Sequence, residues 1–173
     1  NNDSIYYINL SKDNFNLGGS ALAQTLGYIG NHSSDINDSK YFKKAFEIFQ
    51  NLIKKGLISS GHDISSGGLI TSLLEMCFPE TNIGAKIDLS FSKESDIIKL
   101  LFNENIGLIF QGKKEIESIL ESKNIFFSKI GKVNTSGVLK ISKNDIDYEF
   151  KISKYRDIWY KTSYLLDIHQ SGE

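Results

Sequence analysis

The residues best suited to chemistry lie together between a short apolar segment and a long one. In order they are Asp63, Ser65, Ser66, Gly67 and Gly68. Glycines at the start of a helix let a ligand approach the backbone closely, and the unpaired N–H groups and helix dipole there favour an anion. A carboxylate beside such an anion is consistent with a bridging cation such as Mg²⁺. The stretch predicts a phosphate site, with Asp63 as metal ligand.

A purely structural interpretation fits the same residues. Asp63 and Ser65 are residue types that cap helices, and the two glycines would then serve only tight packing. The stretch is neither a Walker loop, because no Gly-Lys-Ser/Thr follows, nor the dinucleotide fingerprint Gly-x-Gly-x-x-Gly. Both interpretations stay open at this point.

A second glycine pair, Gly18 and Gly19, is followed by Ser20 and by a predicted helix from Ala21 to Gly27. Two glycine-bearing helix starts in one domain suggest a shared anion site, although either one also fits a simple turn.

The chain offers no candidate nucleophile. Its one cysteine, Cys77, lies on a predicted buried stripe rather than in an exposed cationic setting. We expect no catalytic residue in this chain.

The elements that must position these residues follow from apolar periodicity. Leu57 and Ile58 begin a short strand ahead of the first site. After the site, two apolar stripes predict a mostly buried helix that ends before Pro79. Its stripes are Leu69, Leu73 and Met76, and Ile70, Leu74 and Cys77. Thr71, Ser72 and Glu75 are left for its polar face.

Strands and helices alternate along the rest of the chain. One helix is predicted to run to Lys55, capped by residues among Asn37, Asp38 and Ser39, with an inward face of Phe42, Ala45, Phe46, Phe49 and Ile53. A closing helix, capped by Ser153, is predicted to carry Tyr155, Ile158, Trp159, Thr162 and Leu165. Strands are predicted at 5–10, 85–89, 106–110, 126–133, 138–141 and 145–152, and further helices at 94–102 and 114–122. The pattern predicts an α/β (α+β) layered domain with a mixed β-sheet covered by helices.

Length and composition narrow the class of protein. The chain has 173 residues, a net charge of −1 and one cysteine, typical of a single globular domain in a reducing, cytoplasmic setting. The near-zero charge argues against nucleic acid or an anionic membrane as partner. No apolar run approaches the roughly 20 residues of a membrane span. The first residue is Asn1, and we expect a piece of a longer protein.

Several motifs together resemble one family, phosphoribosylformylglycinamidine synthase. The segment 62–69, His-Asp-Ile-Ser-Ser-Gly-Gly-Leu, resembles its His-Asp-x-Ser-Asp-Gly-Gly-Leu element, and 17–20 its Leu-Gly-Gly-Ser. Residues 102–107 are similar to its Phe-x-Glu-x-x-Gly, and 130–133 to its Ile-Gly-x-Val. The segment 159–164 resembles the part of the long, single-chain form that leads to its glutaminase domain. These matches keep the family's order along nearly the whole chain.

The resemblance implies the second copy of a C-terminal-type domain that is shared with aminoimidazole ribonucleotide synthetase. Residues 1–152 would form this domain, and 153–173 a closing helix and the start of a linker. The family's enzyme is a ligase of purine biosynthesis that uses ATP and glutamine to convert formylglycinamide ribonucleotide into its amidine. Its partners here would be an N-terminal-type ATP-binding domain and a glutaminase domain of the same polypeptide.

The resemblance also implies ATP or ADP with Mg²⁺ as an auxiliary nucleotide site. Asp63 would be the Mg²⁺ ligand and Ser65 a nucleotide contact, joined by Gly67 and Gly68 and by the segment Gly18, Gly19 and Ser20. The chain departs from the family at Ser66, where the usual residue is Asp.

Alternative functions stay open. One is the equivalent domain of a short, multi-subunit synthase, and the other a stand-alone anion- or nucleotide-binding regulatory module. For His62 the residues allow either packing or orientation of Asp63. For Glu104 they allow either an exposed turn or a contact with a neighbouring domain.

Overall fold

A seven-stranded mixed β-sheet organises the chain, and the computed structural model describes residues 3–172. The strands are β1 (Ser4–Asn9), β2 (Ile58–Ile64), β3 (Gly84–Asp88), β4 (Gly107–Gly112), β5 (Ser128–Asn134), β6 (Val138–Lys143) and β7 (Ile146–Lys151). Their spatial order is β2-β4-β1-β5-β3-β6-β7. β3 and β6 pair in parallel, and the other neighbouring strands are antiparallel. The predicted α/β architecture with a mixed sheet is confirmed.

Helices cover both faces of this sheet. They are α1 (Ala21–Thr25), α2 (Ser39–Lys54), α3 (Gly68–Cys77), α4 (Ile97–Phe102), α5 (Glu115–Ser122) and α6 (Ile152–Ser171). One apolar core lies between the sheet and α3 and α4, and a second core lies between the sheet and α2 and α5. Within residues 3–172, every helix is too short or too polar to span a lipid bilayer.

Strand β1 is central because both of its faces are apolar. Successive side chains of a strand point to opposite faces, so Ile5 and Tyr7 enter the first core while Tyr6 and Ile8 enter the second. All four side chains are buried. Strand β1 pairs with β4 along its whole length, but its pairing with β5 ends at Tyr7 and Ser128.

The buried face of α2 differs from the predicted one. Ala45 and Phe49 are buried as expected, but Phe46 and Ile53 are 46% and 45% exposed. Tyr41 and Leu52 take their places in the core. The helix is therefore rotated relative to the predicted stripe, so that the Tyr41 hydroxyl reaches the backbone at Phe126.

Two details of the predicted helices are wrong. Ser72, predicted on the polar face of α3, is buried, and its hydroxyl donates to the Asp63 carbonyl at 3.0 Å. Ser153 does not cap α6, whose N-cap position is Lys151, without a side-chain cap bond. In α6, Ile152 is buried. The apolar side chains of Ile158, Leu165 and Leu166 in the same helix are exposed.

Candidate functional site

A single carboxylate joins the two glycine-bearing helix starts. Oε1 of Glu104 accepts one hydrogen bond from the N–H of Ala21, at the start of α1, and one from the N–H of Gly67, the N-cap of α3. Both N···O distances are 2.8 Å. The two predicted helix starts therefore do share an anion, and that anion is a side chain of the same chain.

The turn into α3 depends on glycine backbone geometry. Gly67 and Gly68 have φ angles of +87° and +74°, in the left-handed region that favours glycine. A Cβ atom on Gly68 would lie 2.6 Å from the Asn103 carbonyl oxygen and 2.7 Å from that of Leu101. Gly68 thus lets the start of α3 pack directly against the end of α4.

The backbone N–H groups of the Gly18–Gly19 turn also bond within the chain. The N–H of Gly18 donates to the His32 carbonyl at 2.9 Å, and that of Gly19 donates to the Ile29 carbonyl at 2.7 Å. Ser20 is buried and caps α1 by accepting from the N–H of Ala23. These residues hold the loop at 28–33 against the start of α1.

The prediction that these glycine N–H groups are free to bind a phosphate is therefore wrong. The N–H of Gly67 is bound to Glu104, that of Gly68 donates to the Ser65 carbonyl at 3.0 Å, and the amides of Gly18 and Gly19 bind the loop carbonyls. The physical reason is that a buried or half-buried backbone donor needs an acceptor whether or not a ligand is bound. Contact of these glycines with a nucleotide through other atoms stays a prediction.

The exposed polar groups of the site lie on the preceding loop. The Asp63 side chain is 72% exposed, at the end of edge strand β2, where the Asp63 backbone is paired with Leu108. Ser65 and Ser66 are exposed on the turn that follows. The structure therefore exposes one carboxylate and two hydroxyls to solvent, between β4 on one side and α3 on the other.

His62 has a partner that the sequence did not indicate. Its Nε2 lies 3.2 Å from Oε2 of Glu75 on α3, and its Nδ1 lies 2.6 Å from the Asp63 carbonyl oxygen. Oε1 of Glu75 accepts from the indole N–H of Trp159 at 3.0 Å, and the Trp159 ring lies 5.5 Å from that of Phe78. His62 thus links the end of β2 to α3 and, through Glu75, to α6.

The carboxylate set limits the kind of metal site that fits. Within residues 3–172, no group of three or more His, Cys, Asp or Glu side chains is arranged to hold a metal ion. Mg²⁺ in phosphate sites is commonly held by one or two carboxylates, with phosphates and water completing its shell. Asp63 fits that role as a single ligand, and His62 Nδ1 lies 3.6 Å from Oδ1 of Asp63.

Cys77 does not belong to this site. It is a free, buried thiol on α3, and burial raises its pKa to about 11. A thiol in that state contains very little thiolate, the nucleophilic form, near neutral pH.

Glu104 is the residue at this site whose position the sequence left open. It lies between two buried amides, Asn103 and Asn105. Asn103 caps α4 by donating to the carbonyls of Lys99 and Leu100, and Asn105 donates to those of Asp13 and Asn14. A run of three polar residues between the apolar segments of α4 and β4 was the available signal.

A family model matches most of the chain. The family is described as "AIR synthase related protein, C-terminal domain", and the match covers residues 2–144. The matched region includes the whole candidate site and ends before α6.

Relatives with similar sequences are much longer proteins. The chain is 37% identical over 168 residues to a probable phosphoribosylformylglycinamidine synthase, chloroplastic/mitochondrial, of Arabidopsis thaliana. It is 32% identical over 171 residues to phosphoribosylformylglycinamidine synthase of Homo sapiens. Each match covers 94% of this chain, which spans 12% and 13% of the two relatives' lengths.

Solved structures show a similar fold at low identity. Thermotoga maritima PurL complexed with FGAR has a TM-score of 0.68 at 16% identity, over 88% of this chain and 27% of that chain. The hydrogenase maturation protein HypE in complex with ATP has a TM-score of 0.53 at 16% identity, over 86% of this chain and 50% of that chain.

Proposed function

The chain belongs to the family of the AIR synthase related protein C-terminal domain, and from this premise we propose that it is one domain of a phosphoribosylformylglycinamidine synthase. The similarity to long relatives along 94% of this chain supports this assignment. The proposed reaction converts formylglycinamide ribonucleotide into formylglycinamidine ribonucleotide with ATP and glutamine. ATP phosphorylates the substrate amide oxygen, and ammonia released from glutamine then displaces the phosphate.

The proposed role of this domain is to hold an auxiliary nucleotide with Mg²⁺ at the turn between β2 and α3. The observation that carries this role is the exposed Asp63 carboxylate next to the exposed Ser65 and Ser66. Bound there, Mg²⁺ would neutralise phosphate charge. The Glu104 bonds to Ala21 and Gly67 keep the turn rigid, so the ligand does not have to order it.

The loss of one carboxylate at Ser66 fits this arrangement. A hydroxyl is a neutral oxygen donor, so a nucleotide phosphate would meet one negative side chain at this turn instead of two. With Asp63 alone, the phosphates themselves must supply most of the negative charge around the metal. The site therefore requires the nucleotide and Mg²⁺ to bind together.

The remaining contacts are assigned to other domains of the same polypeptide, an ATP-binding domain and a glutaminase domain. We place residues 1–152 in the family domain, and assign α6 to the closing helix that leads toward the glutaminase. The relatives' greater length supports this organisation. A cytoplasmic location is proposed for the whole protein, although the Arabidopsis relative is named as chloroplastic/mitochondrial.

Activity of the full-length protein tests the assignment. Purified full-length protein should form the amidine from formylglycinamide ribonucleotide only when ATP and glutamine or ammonia are present, with release of ADP and phosphate. Failure to consume ATP upon addition of this substrate, in a folded preparation, would show that the assigned reaction is wrong.

Calorimetry of the isolated chain tests whether this domain alone binds the nucleotide or needs contacts from other domains. Few groups of this domain are free to contact phosphate. Even a millimolar dissociation constant requires about 4 kcal/mol of net binding free energy. The contacts must in addition offset the entropy lost when the ligand is immobilised. We expect weak or undetectable binding of ADP and Mg²⁺ to residues 1–173 and no catalysis. Micromolar binding would show that the domain carries a complete site by itself.

A further inference from the structure

A cavity of about 460 Å³ opens where β1 and β5 separate. The two strands are paired up to Tyr7 and Ser128, and beyond this pair Ile8 and Asn9 of β1 continue against β4 alone. The chain before β5, at Phe126 and Phe127, turns away and forms one wall of the resulting gap. The cavity is thus a consequence of the sheet register and is separate from the turn at Asp63.

The floor of the cavity carries a polar group without a partner. The Tyr7 side chain is 6% exposed, and within residues 3–172 its hydroxyl forms no hydrogen bond; burial alone raises its pKa. In the same part of the chain, Asn105 Oδ1 is the one fully enclosed polar side-chain atom that lacks a partner. The Tyr7 oxygen is therefore not fully enclosed, and Tyr7 is a lining residue of this cavity.

A hydroxyl that has no partner within the protein but is not fully enclosed can be satisfied by water or by a ligand. Tyr6, the neighbouring tyrosine, has such a partner, since its hydroxyl donates to Glu117 at 2.8 Å. The Tyr7 hydroxyl is neutral near neutral pH, as an ordinary tyrosine is, and burial raises its pKa further. It can donate one hydrogen bond and accept another.

The walls of the cavity are largely aromatic, and its two charged residues already bond to groups of this chain. The lining includes Phe15, Tyr41, Phe91 and Phe126. The Lys12 ammonium lies 4.0 Å from the centre of the Tyr41 ring and 3.2 Å from Asp38, so it is held by groups of this chain. Asp13 accepts hydrogen bonds from the backbone N–H groups of Asn14 and Asp35. Both charged side chains are thus held by contacts within the chain, and aromatic walls favour a flat apolar ring.

We propose that this cavity binds a neutral planar heterocycle of one or two rings, which lies between the aromatic walls and makes a hydrogen bond with the Tyr7 hydroxyl. The volume is within the range of small-molecule sites. The aromatic rings supply contact area, and the hydroxyl supplies selectivity for a ring that carries a hydrogen-bonding nitrogen or oxygen.

Two probes of the same shape separate these contributions. Benzimidazole offers ring nitrogens to Tyr7, whereas indene is a hydrocarbon of the same bicyclic outline. Saturation-transfer NMR on the full-length polypeptide, at a pH where benzimidazole is uncharged, gives both affinities. We expect benzimidazole to bind about threefold to tenfold more tightly than indene relative to their partition into an apolar solvent, the ratio for one net hydrogen bond.

Three variants locate the binding. Tyr7→Phe removes only the unpaired oxygen and should abolish the preference for benzimidazole while indene still binds. Phe91→Ala truncates a wall residue that is 42% exposed, and should weaken both probes. Phe46→Ala, a matched change at a ring 46% exposed on α2, should alter neither.

The proposal would be overturned if neither benzimidazole nor indene binds to the wild-type protein. A preference for benzimidazole that persists in Tyr7→Phe, or binding that Phe91→Ala leaves unchanged, would also overturn it, because the probes would then occupy another place. Loss of the preference in Tyr7→Phe together with weaker binding in Phe91→Ala would establish the site.

Discussion

The Glu104 carboxylate accepts a 2.8 Å hydrogen bond from the N–H of Gly67. The bond ties the segment after α4 to the start of α3, and the same oxygen ties both to the start of α1 through Ala21. Helix starts favour negative charge. Here the chain supplies that charge itself, so the proposed nucleotide would have to bind through the side chains of the preceding loop.

Glu104→Ala should therefore destabilise the fold as well as any ligand site. Two backbone donors lose a charged acceptor, and we expect the free energy of unfolding to fall by about 2–4 kcal/mol. Glu104→Gln keeps one oxygen acceptor and should lose only about 1 kcal/mol. Urea unfolding measures both, with exposed Glu121→Ala on α5 as control. Equal stability of Glu104→Ala and wild type would refute the structural role.

Gly68→Ala should be much more damaging than Gly19→Ala. Both glycines have φ of +74°, so both substitutions meet the same left-handed strain of about 1–2 kcal/mol. A Cβ on Gly68 would also meet two carbonyl oxygens within 2.7 Å, whereas one on Gly19 meets no atom within 4 Å. We expect the difference in unfolding free energy to exceed about 1 kcal/mol. Similar values would mean that α3 and α4 are less closely packed.

Asp63→Asn should weaken Mg²⁺-dependent nucleotide binding to the full-length protein without loss of stability. Asn caps helices about as well as Asp, so a capping role alone predicts no effect on either property. The expected loss is about tenfold or more in affinity when Mg²⁺ is present, and little when it is absent. Equilibrium binding with and without Mg²⁺ measures it, and Asp145→Asn is the matched exposed control. Unchanged affinity in Asp63→Asn would exclude the metal role.

Tyr6→Phe should change the pH dependence of stability. The hydrogen bond from Tyr6, followed by that from Lys129, lowers the pKa of Glu117. A lowered pKa in the folded state stabilises the fold above the ordinary carboxyl pKa, and this contribution is lost as pH falls through the folded-state value. The stability difference between wild type and Tyr6→Phe should therefore be largest near neutral pH and shrink in acid.

At alkaline pH, the stability contribution of Tyr6 changes with pH in the opposite direction. Burial, followed by the bond to Glu117, raises the pKa of Tyr6 from 10.0 to about 12. Its contribution is complete below pH 10 and is lost as pH rises toward 12, a loss that Tyr6→Phe lacks. Urea midpoints across pH measure both limbs. Tyr28→Phe, at a side chain 74% exposed, is the control and should follow wild type throughout.

Local structure was largely predictable from the sequence. The strands and helices occur in the predicted order because apolar periodicity, glycines and capping residues act within a few positions of one another. The cap of α2 at Asp38 and the αL residue Gly56 just after it are examples. The buried double stripe of α3 likewise follows from its own composition.

Tertiary structure decided what the site is made of. Glu104 lies 37 positions from Gly67 and 83 from Ala21 in the sequence, and these contacts depend on how α1, α3 and α4 pack. The exposed sides of Phe46 and Ile53 also depend on the neighbouring elements, since an apolar stripe does not specify which of its edges is covered.

Tyr7, whose hydroxyl has no hydrogen-bond partner within residues 3–172, also shows what sequence and tertiary structure each determine. The sequence by itself determined that Tyr7 belongs to a strand in the middle of an apolar run. Only the tertiary structure determined that the strand beside it ends its pairing at Ser128 and leaves a cavity there. Strand register is set by side-chain packing over the whole sheet, so no local pattern around Tyr7 contains that information.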